Sequence, residues 1–219
     1  MTTRRTERRN GARRALEELT GLPAVLVRLE GKEMAAAFDP DVGEHVRRSR
    51  AGAGAVTSRA LLHGLWLLPA GIPVPTAAIP ERKRQHLRAA GHFAQENGDC
   101  LESLYSPAGA VRAIAVAGAD IERSVAQAIR FTPIVQRVVV TDVTMQPSSA
   151  TLGLADRWGV GVVRAREDGC DVLRHPAPAV VGVPAVYRWW LAELAYGGWV
   201  QQSAQPVSWA FGFSGPLNP

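Results

Sequence analysis

The sequence predicts an α/β protein: a mixed central sheet with flanking helices. Three observations carry this expectation. Between residues 100 and 175, runs rich in valine and alanine (VRAIAVAG, QRVVVTD, GVGVVRA) alternate with longer amphipathic stretches (DIERSVAQAIRF, SSATLGLADRW). Strands alternating with helices in this way imply right-handed crossovers and a parallel portion of sheet. A chain of 219 residues with 47% hydrophobic content suits one good core with room for a smaller appendage, and its 21 glycines and 15 prolines supply many turns. Cys100 and Cys170, the only cysteines, form no CxxC pair, which argues against a zinc module or a disulfide scaffold and fits a reducing compartment.

Taken in order, the chain opens with TTRRTERRNGARR, and a helix is expected from Asn10 or Gly11 through ARRALEEL, with Ala15, Leu16 and Leu19 on one face. PAVLVRLEGKEMAAAF reads as two short strands around Gly31, and DPDVGEHVRRSR as a helix start. GAGAV interrupts the pattern before the apolar TSRALLHGLWLLP. The three prolines of AGIPVPTAAIP, residues 70 to 80, exclude a regular helix or central strand and mark a boundary. ERKRQHLRAAGHFAQEN is expected to be helical up to Gly98. CLESLYS, a PAG turn and VRAIAVAG follow as two strands. Asp120 is placed to cap the helix IERSVAQAI, and Ser148 or Ser149 the helix of Leu152, Ala155 and Trp158. EDG is a hairpin turn between GVGVVRA and CDVLRHP. VYRWWLAELAYGGW predicts an aromatic-rich helix, and the rest of the tail an irregular chain or extra strand. The expected organisation is an N-terminal extension or small α+β subdomain over residues 1–80, an α/β core over 81–175, and an aromatic C-terminal segment over 176–219.

Formal net charge is +5, which favours anionic partners. Six arginines in the first fourteen residues, Arg4, Arg5, Arg8, Arg9, Arg13 and Arg14, are candidates for phosphate contact. Arg47, Arg48 and Arg50 form a second basic group, and Arg82, Lys83, Arg84 and Arg88 a third. DNA or RNA is therefore an expected partner, with a solubilising surface or an acidic protein partner as the competing explanation of the same charge. Trp66 and Trp158 fit an apolar face, while Trp189, Trp190, Trp199, Trp209, Phe211 and Phe213 are candidates for a subunit contact in a homo-oligomer or protein complex. The opening residues lack the apolar stretch of a signal peptide, and no run reaches the roughly 20 apolar residues of a membrane span. The expectation is a cytoplasmic protein with no membrane partner.

Catalytic signatures are sparse. The turn VAGAD offers no GxGxxG, the five histidines form no HExxH or HxH pattern, no GxSxG occurs, and nothing supplies a base to Cys100. In their order, however, ERKRQHLRAAGHFAQENG, CLESLYSPAGAVRAIAVAG, DIERSVAQAIRF, RVVVTDV and SSATLGLADRWGVGVV resemble the PD-(D/E)xK nuclease-like superfamily, including its Mrr-like restriction branch. In that family a helix precedes a strand pair whose second strand carries an acidic residue or glutamine, any residue, then lysine; a helix and a further strand follow. The resemblance spans residues 81–175 and implies a restriction-endonuclease-like core.

It sets Ala115 at the acidic position and Ala117 at the lysine position, and methyl groups can neither coordinate Mg²⁺ nor polarise a water. Acidic residues near in sequence are Asp99, Glu102, Asp120, Glu122 and Asp142, the last also well placed to cap a turn. The expected function is that of a noncatalytic nucleic-acid-associated or assembly protein on a nuclease-like scaffold, without cofactor or metal site. One alternative is a DNA nuclease dependent on Mg²⁺ or Mn²⁺ that draws carboxylates from outside the AIAVAG strand. Another is a structural oligomeric protein that binds no nucleic acid.

Overall fold

A computed structural model describes residues 2–29, 31–131, 134–142, 144–166, 168–180 and 185–203, with the side chains of 2–5 left aside. The chain runs α1 (Thr2–Thr20), β1 (Ala24–Leu29), β2 (Lys32–Pro40), α2 (Val42–Ala51), α3 (Arg59–Trp66), β3 (Val74–Pro75), α4 (Glu81–Arg88), β4 (Ala94–Asn97) and β5 (Cys100–Ser103). It continues with β6 (Gly109–Ala117), α5 (Ile121–Arg130), β7 (Gln136–Thr141), α6 (Ser149–Arg157), β8 (Val160–Ala165), β9 (Cys170–Arg174) and α7 (Ala185–Ser203).

Six strands form one mixed sheet in the order β1-β2-β6-β7-β8-β9. Strands β6, β7 and β8 are parallel, joined through α5 and α6, and the outer pairs are antiparallel. The two strand–helix–strand units expected from the sequence are thus present. Caps fix where their helices begin: Asp120 accepts from the Arg123 amide and Ser148 from the Thr151 amide.

The period-two alternation of each strand divides its side chains between two layers. On one face, Ala24 of β1, Ala35 and Ala37 of β2, Ala113 and Ala115 of β6, Val138 and Val140 of β7 and Val163 of β8 pack under Ala12, Ala15 and Leu16 of α1. Small residues on both sides let α1 lie close to the sheet. On the opposite face, Met34, Phe38, Ile114, Val116, Val139 and Val162 are buried with Ile121 and Val125 of α5, Ala155 of α6 and Leu191, Ala195 and Tyr196 of α7. The alanines of the AIAVAG strand therefore belong largely to the α1 contact: Ala115 is wholly buried.

Several boundaries differ from the sequence expectation. α1 begins at Thr2 rather than near Asn10. β5 and β6 do not pair across the PAG turn; β5 lies in a separate three-stranded sheet, order β3-β5-β4, while β6 pairs with β2 and β7. Residues 41–108 thus form an insertion between two neighbouring strands of the main sheet. Because β1 and β2 share the sheet of β6–β9, the first 80 residues do not lie apart from residues 81–175. The proline-rich stretch contributes β3 and a 3₁₀ turn inside the insertion instead of separating two units.

The insertion has its own core, in which Leu62 and Leu65 of α3, Leu87 of α4, Phe93, Leu101 and Tyr105 meet Val186 of α7. The chain re-enters the main sheet at Gly109 with φ +152°, where a Cβ would sit 2.3 Å from the Asp39 carbonyl oxygen and 2.8 Å from the Phe38 ring. Only glycine fits that close approach.

A buried ionic network ties insertion to sheet through α7. Arg48 is fully buried and donates to both oxygens of Glu193, at 2.7 and 2.8 Å, to Glu44 at 2.7 Å and to the Ser106 carbonyl at 2.8 Å. Glu193, equally buried, also accepts from the Val56 amide and the Tyr105 hydroxyl. The rings of Phe93, Tyr105 and Tyr196 surround the guanidinium, their centroids 4.9 to 5.6 Å from it.

This network gives stability a pH dependence at both ends. Burial alone would raise the Glu44 carboxyl, but the donors of Arg47 and Arg48 outweigh it and hold Glu44 below its usual value. Burial, reinforced by the Glu193 charge, pushes the Tyr105 phenol above its usual value. A depressed carboxyl stabilises the fold above its unfolded pKa of about 4.3 and loses that contribution as pH falls; a raised phenol stabilises below about 10 and loses it as pH rises. The urea midpoint is expected to be level between about pH 5.5 and pH 9 and to fall on both sides. A midpoint that keeps rising into alkali would contradict the Tyr105 assignment.

Candidate functional site

Two recesses open where the parallel strands end, one of about 420 Å³ and one of about 640 Å³. Arg8 of α1, Ala117 at the end of β6 and Ala119 in the turn that follows line both, so they form a single cleft. The carboxyl ends of parallel strands are where open α/β sheets place ligands, because helix N-termini and loops converge there.

The smaller recess lies over the end of β6 and the start of β2, which run antiparallel with Ala35 opposite Ala115. Ala115 and Ala117 contribute to its wall, Glu33 and Lys32 come from β2, Arg9 from α1, and Asp120 and Arg123 from the start of α5. The larger recess continues to the ends of β7 and β8, past Thr141, Asp142 and Arg166.

The charges in this cleft are unevenly committed. Glu33 is ion-paired with Arg9, and the Asp120 carboxylate accepts from the Arg123 amide as the α5 cap. Asp142 accepts from the amide and hydroxyl of Thr144, a local turn bond, and Arg166 pairs with Asp171. Arg8, Lys32 and the guanidinium of Arg123 have no carboxylate partner among the described residues. Of the acids lining the cleft only Glu7 of α1 has no partner among the described residues, against three such cations. The balance of uncommitted charge is positive, so the cleft is predisposed to receive an anion.

The acidic candidates do not converge. Asp99 and Glu102 lie on the β4–β5 hairpin of the insertion, outside the main sheet. Glu122 is on α5 and accepts from the Thr151 hydroxyl of α6 at 3.2 Å, while Asp120 and Asp142 serve as cap and turn acceptor. Among the described residues, no group of three His, Cys, Asp or Glu side chains is placed to hold a metal ion. Burial, with Glu18 beside it, raises the Cys170 thiol to about 11, which disfavours the reactive thiolate.

The three basic groups separate in space. Only the first touches the cleft, through Arg8, Arg9 and Arg14. Arg13 of the same helix bonds the Ala24 carbonyl, and the side chains of Arg4 and Arg5 lie outside the described residues. In the second group, Arg48 cannot reach a phosphate because it is sealed in the ionic network, and Arg47 pairs with Glu44; Arg50 is exposed. In the third, Arg84 pairs with Glu81 and Arg88 with Glu96, leaving Arg82 and Lys83 on the surface of α4.

The aromatic candidates also resolve differently. Trp199 packs edge-on to His45 with centroids 4.8 Å apart, Trp189 lies 5.1 Å from Tyr105, and Arg59 stacks over Trp190 at 4.9 Å. These three tryptophans, each part-buried, pack α7 against its own chain. Trp209, Phe211 and Phe213 lie outside the described residues. Trp66 and Trp158, expected on an apolar face, are each half exposed.

Sequence reasoning missed Lys32 and Arg123, since neither sits in a basic run. The signal available was positional: Lys32 opens the strand that pairs with β6, and Arg123 follows its cap. Among the described residues no helix is long and apolar enough to cross a membrane. No family model, no curated protein and no solved structure matches the chain.

Proposed function

We propose that the protein is a noncatalytic nucleic-acid-associated protein that holds a phosphate backbone in the cleft at the ends of β6, β7 and β8. The observation that carries this reading is the set of Arg8, Lys32 and Arg123 around a wall of Ala115 and Ala117, cations without carboxylate partners beside side chains that can do no chemistry. Phosphate contacts from such groups give affinity and position without reading sequence.

The nuclease-like scaffold is part of the same proposal. A helix, an antiparallel strand pair, a helix and a further strand, the order expected of that superfamily, are offered by α1, β2 with β6, α5 and β7, with residues 41–108 interrupting the pair. This assignment differs from the span of residues 81–175 taken alone, yet it keeps Ala115 and Ala117 on the second strand of the pair. Glu33, on the first strand, is held by Arg9.

Fluorescence anisotropy with labelled duplex and single-stranded DNA, with and without Mg²⁺, tests the proposal. Binding that weakens with salt while the probe stays intact is expected. Cleavage on adding Mg²⁺ would favour the nuclease alternative, and absence of binding at low salt would favour a structural role.

A further inference from the structure

We infer that the cleft grips a linear phosphate chain by its backbone alone, leaving the bases unread; the inference rests on the cleft being a nucleic-acid interface. Recognition of single strands commonly stacks bases on aromatic side chains, each contributing about 1–3 kcal/mol. No aromatic or histidine side chain is among the described residues lining either recess. The described aromatics with ring partners are used elsewhere: Phe38, Tyr196 and Trp199 pack together beneath the sheet face opposite α1, and Phe93, Tyr105 and Trp189 pack in the insertion.

Edge readout would have to come from groups already assigned to phosphate. Asparagine and glutamine amides read adenine, acidic side chains accept from cytosine and arginine or lysine reads guanine, so Arg8, Lys32 and Arg123 serve either a base edge or the backbone. The only side-chain amide among the described residues lining the two recesses is that of Gln127; Glu33, Asp120 and Asp142 have the partners already given, which leaves Glu7, at the rim on α1, as the one uncommitted acid. What the cleft does offer is Ala117 and Ala119 at the end of β6 among cationic groups, with Ala115 buried behind them. A chain of phosphates spaced along a flexible backbone matches it, because charge is complemented and no planar group needs a platform.

Anisotropy with the full chain tests this, using a labelled mixed-sequence strand that contains guanine and an abasic strand of the same length and label, with unlabelled inorganic polyphosphate as competitor. The two strands are expected to bind within about threefold of each other, since stacking even one base would separate them by roughly 5-fold or more. Polyphosphate at matched phosphate concentration is expected to displace both. An abasic strand more than about tenfold weaker would show that bases are stacked or read, and would overturn the inference while leaving the nucleic-acid reading standing. Failure of polyphosphate to displace either strand would overturn it too, by showing that the sugar is required. If neither strand binds at low salt, the underlying reading fails and the inference with it.

Discussion

Glu193→Ala is expected to destabilise the fold by about 3–5 kcal/mol, the usual cost of breaking a buried charge pair from one side. The substitution strands three donors at once: the Arg48 guanidinium, the Val56 amide and the Tyr105 hydroxyl. Arg48 would keep Glu44 and its ring neighbours, so part of its charge stays compensated. The remainder would be buried without a counterion. Replacing both ends of the pair by apolar residues of similar size, Arg48→Met with Glu193→Leu, removes the uncompensated charge but still strands the Val56 amide, the Tyr105 hydroxyl and the Ser106 carbonyl. It is therefore expected to cost less than Glu193→Ala by the charge contribution alone. Urea unfolding of the two variants checks this by linear extrapolation. A Glu193→Ala variant within about 1 kcal/mol of wild type would mean that the network contributes little to holding α7 against the insertion.

Removing Arg8, Lys32 and Arg123 together is expected to weaken DNA binding by about 500-fold at 0.1 M salt. The estimate follows from counterion release: each neutralised phosphate contributes about 0.9 to the logarithmic salt slope, which at 0.1 M corresponds to nearly a tenfold change in affinity. Folding should be spared. Lys32 and Arg123 are exposed, Arg8 is half-buried, and none of the three is joined to a carboxylate among the described residues. The equivalent removal of Arg82 and Lys83 on α4 leaves the cleft intact and serves as the control for charge lost elsewhere.

Much of the sheet was legible because its crossovers are local. The valine and alanine runs of β6, β7 and β8 alternate with helices whose caps, Asp120 and Ser148, stand one residue before the first turn. The pairing of β2 with β6 was not legible, since Ala35 and Ala115 meet across a 68-residue excursion that no periodicity reports. The early start of α1 was hidden for a related reason. Its first turns are polar, and Ala12, Ala15 and Leu16 supply its buried contact near the other end.

Charge was the weakest guide. An arginine in a basic run reads as solvated, yet Arg48 is buried because Glu193, 145 residues later, comes to meet it. The tryptophans of α7 read as a subunit contact, and nothing in the sequence signals that Trp189 and Trp199 pack on Tyr105 and His45 of the same chain. The proposed cleft opens at the end of β6, the strand whose alanines stand out in the sequence, while the cations around it come from three separate elements: α1, β2 and α5.

The most direct measurement is the salt dependence of duplex binding by the wild-type chain and by the Arg8→Ala, Lys32→Ala, Arg123→Ala triple variant, followed by anisotropy. The logarithmic slope is expected to be shallower in the variant by about 2.7, three phosphate contacts' worth of released counterions. Equal slopes in the two proteins would show that the phosphates bind elsewhere and would contradict the cleft as the nucleic-acid interface.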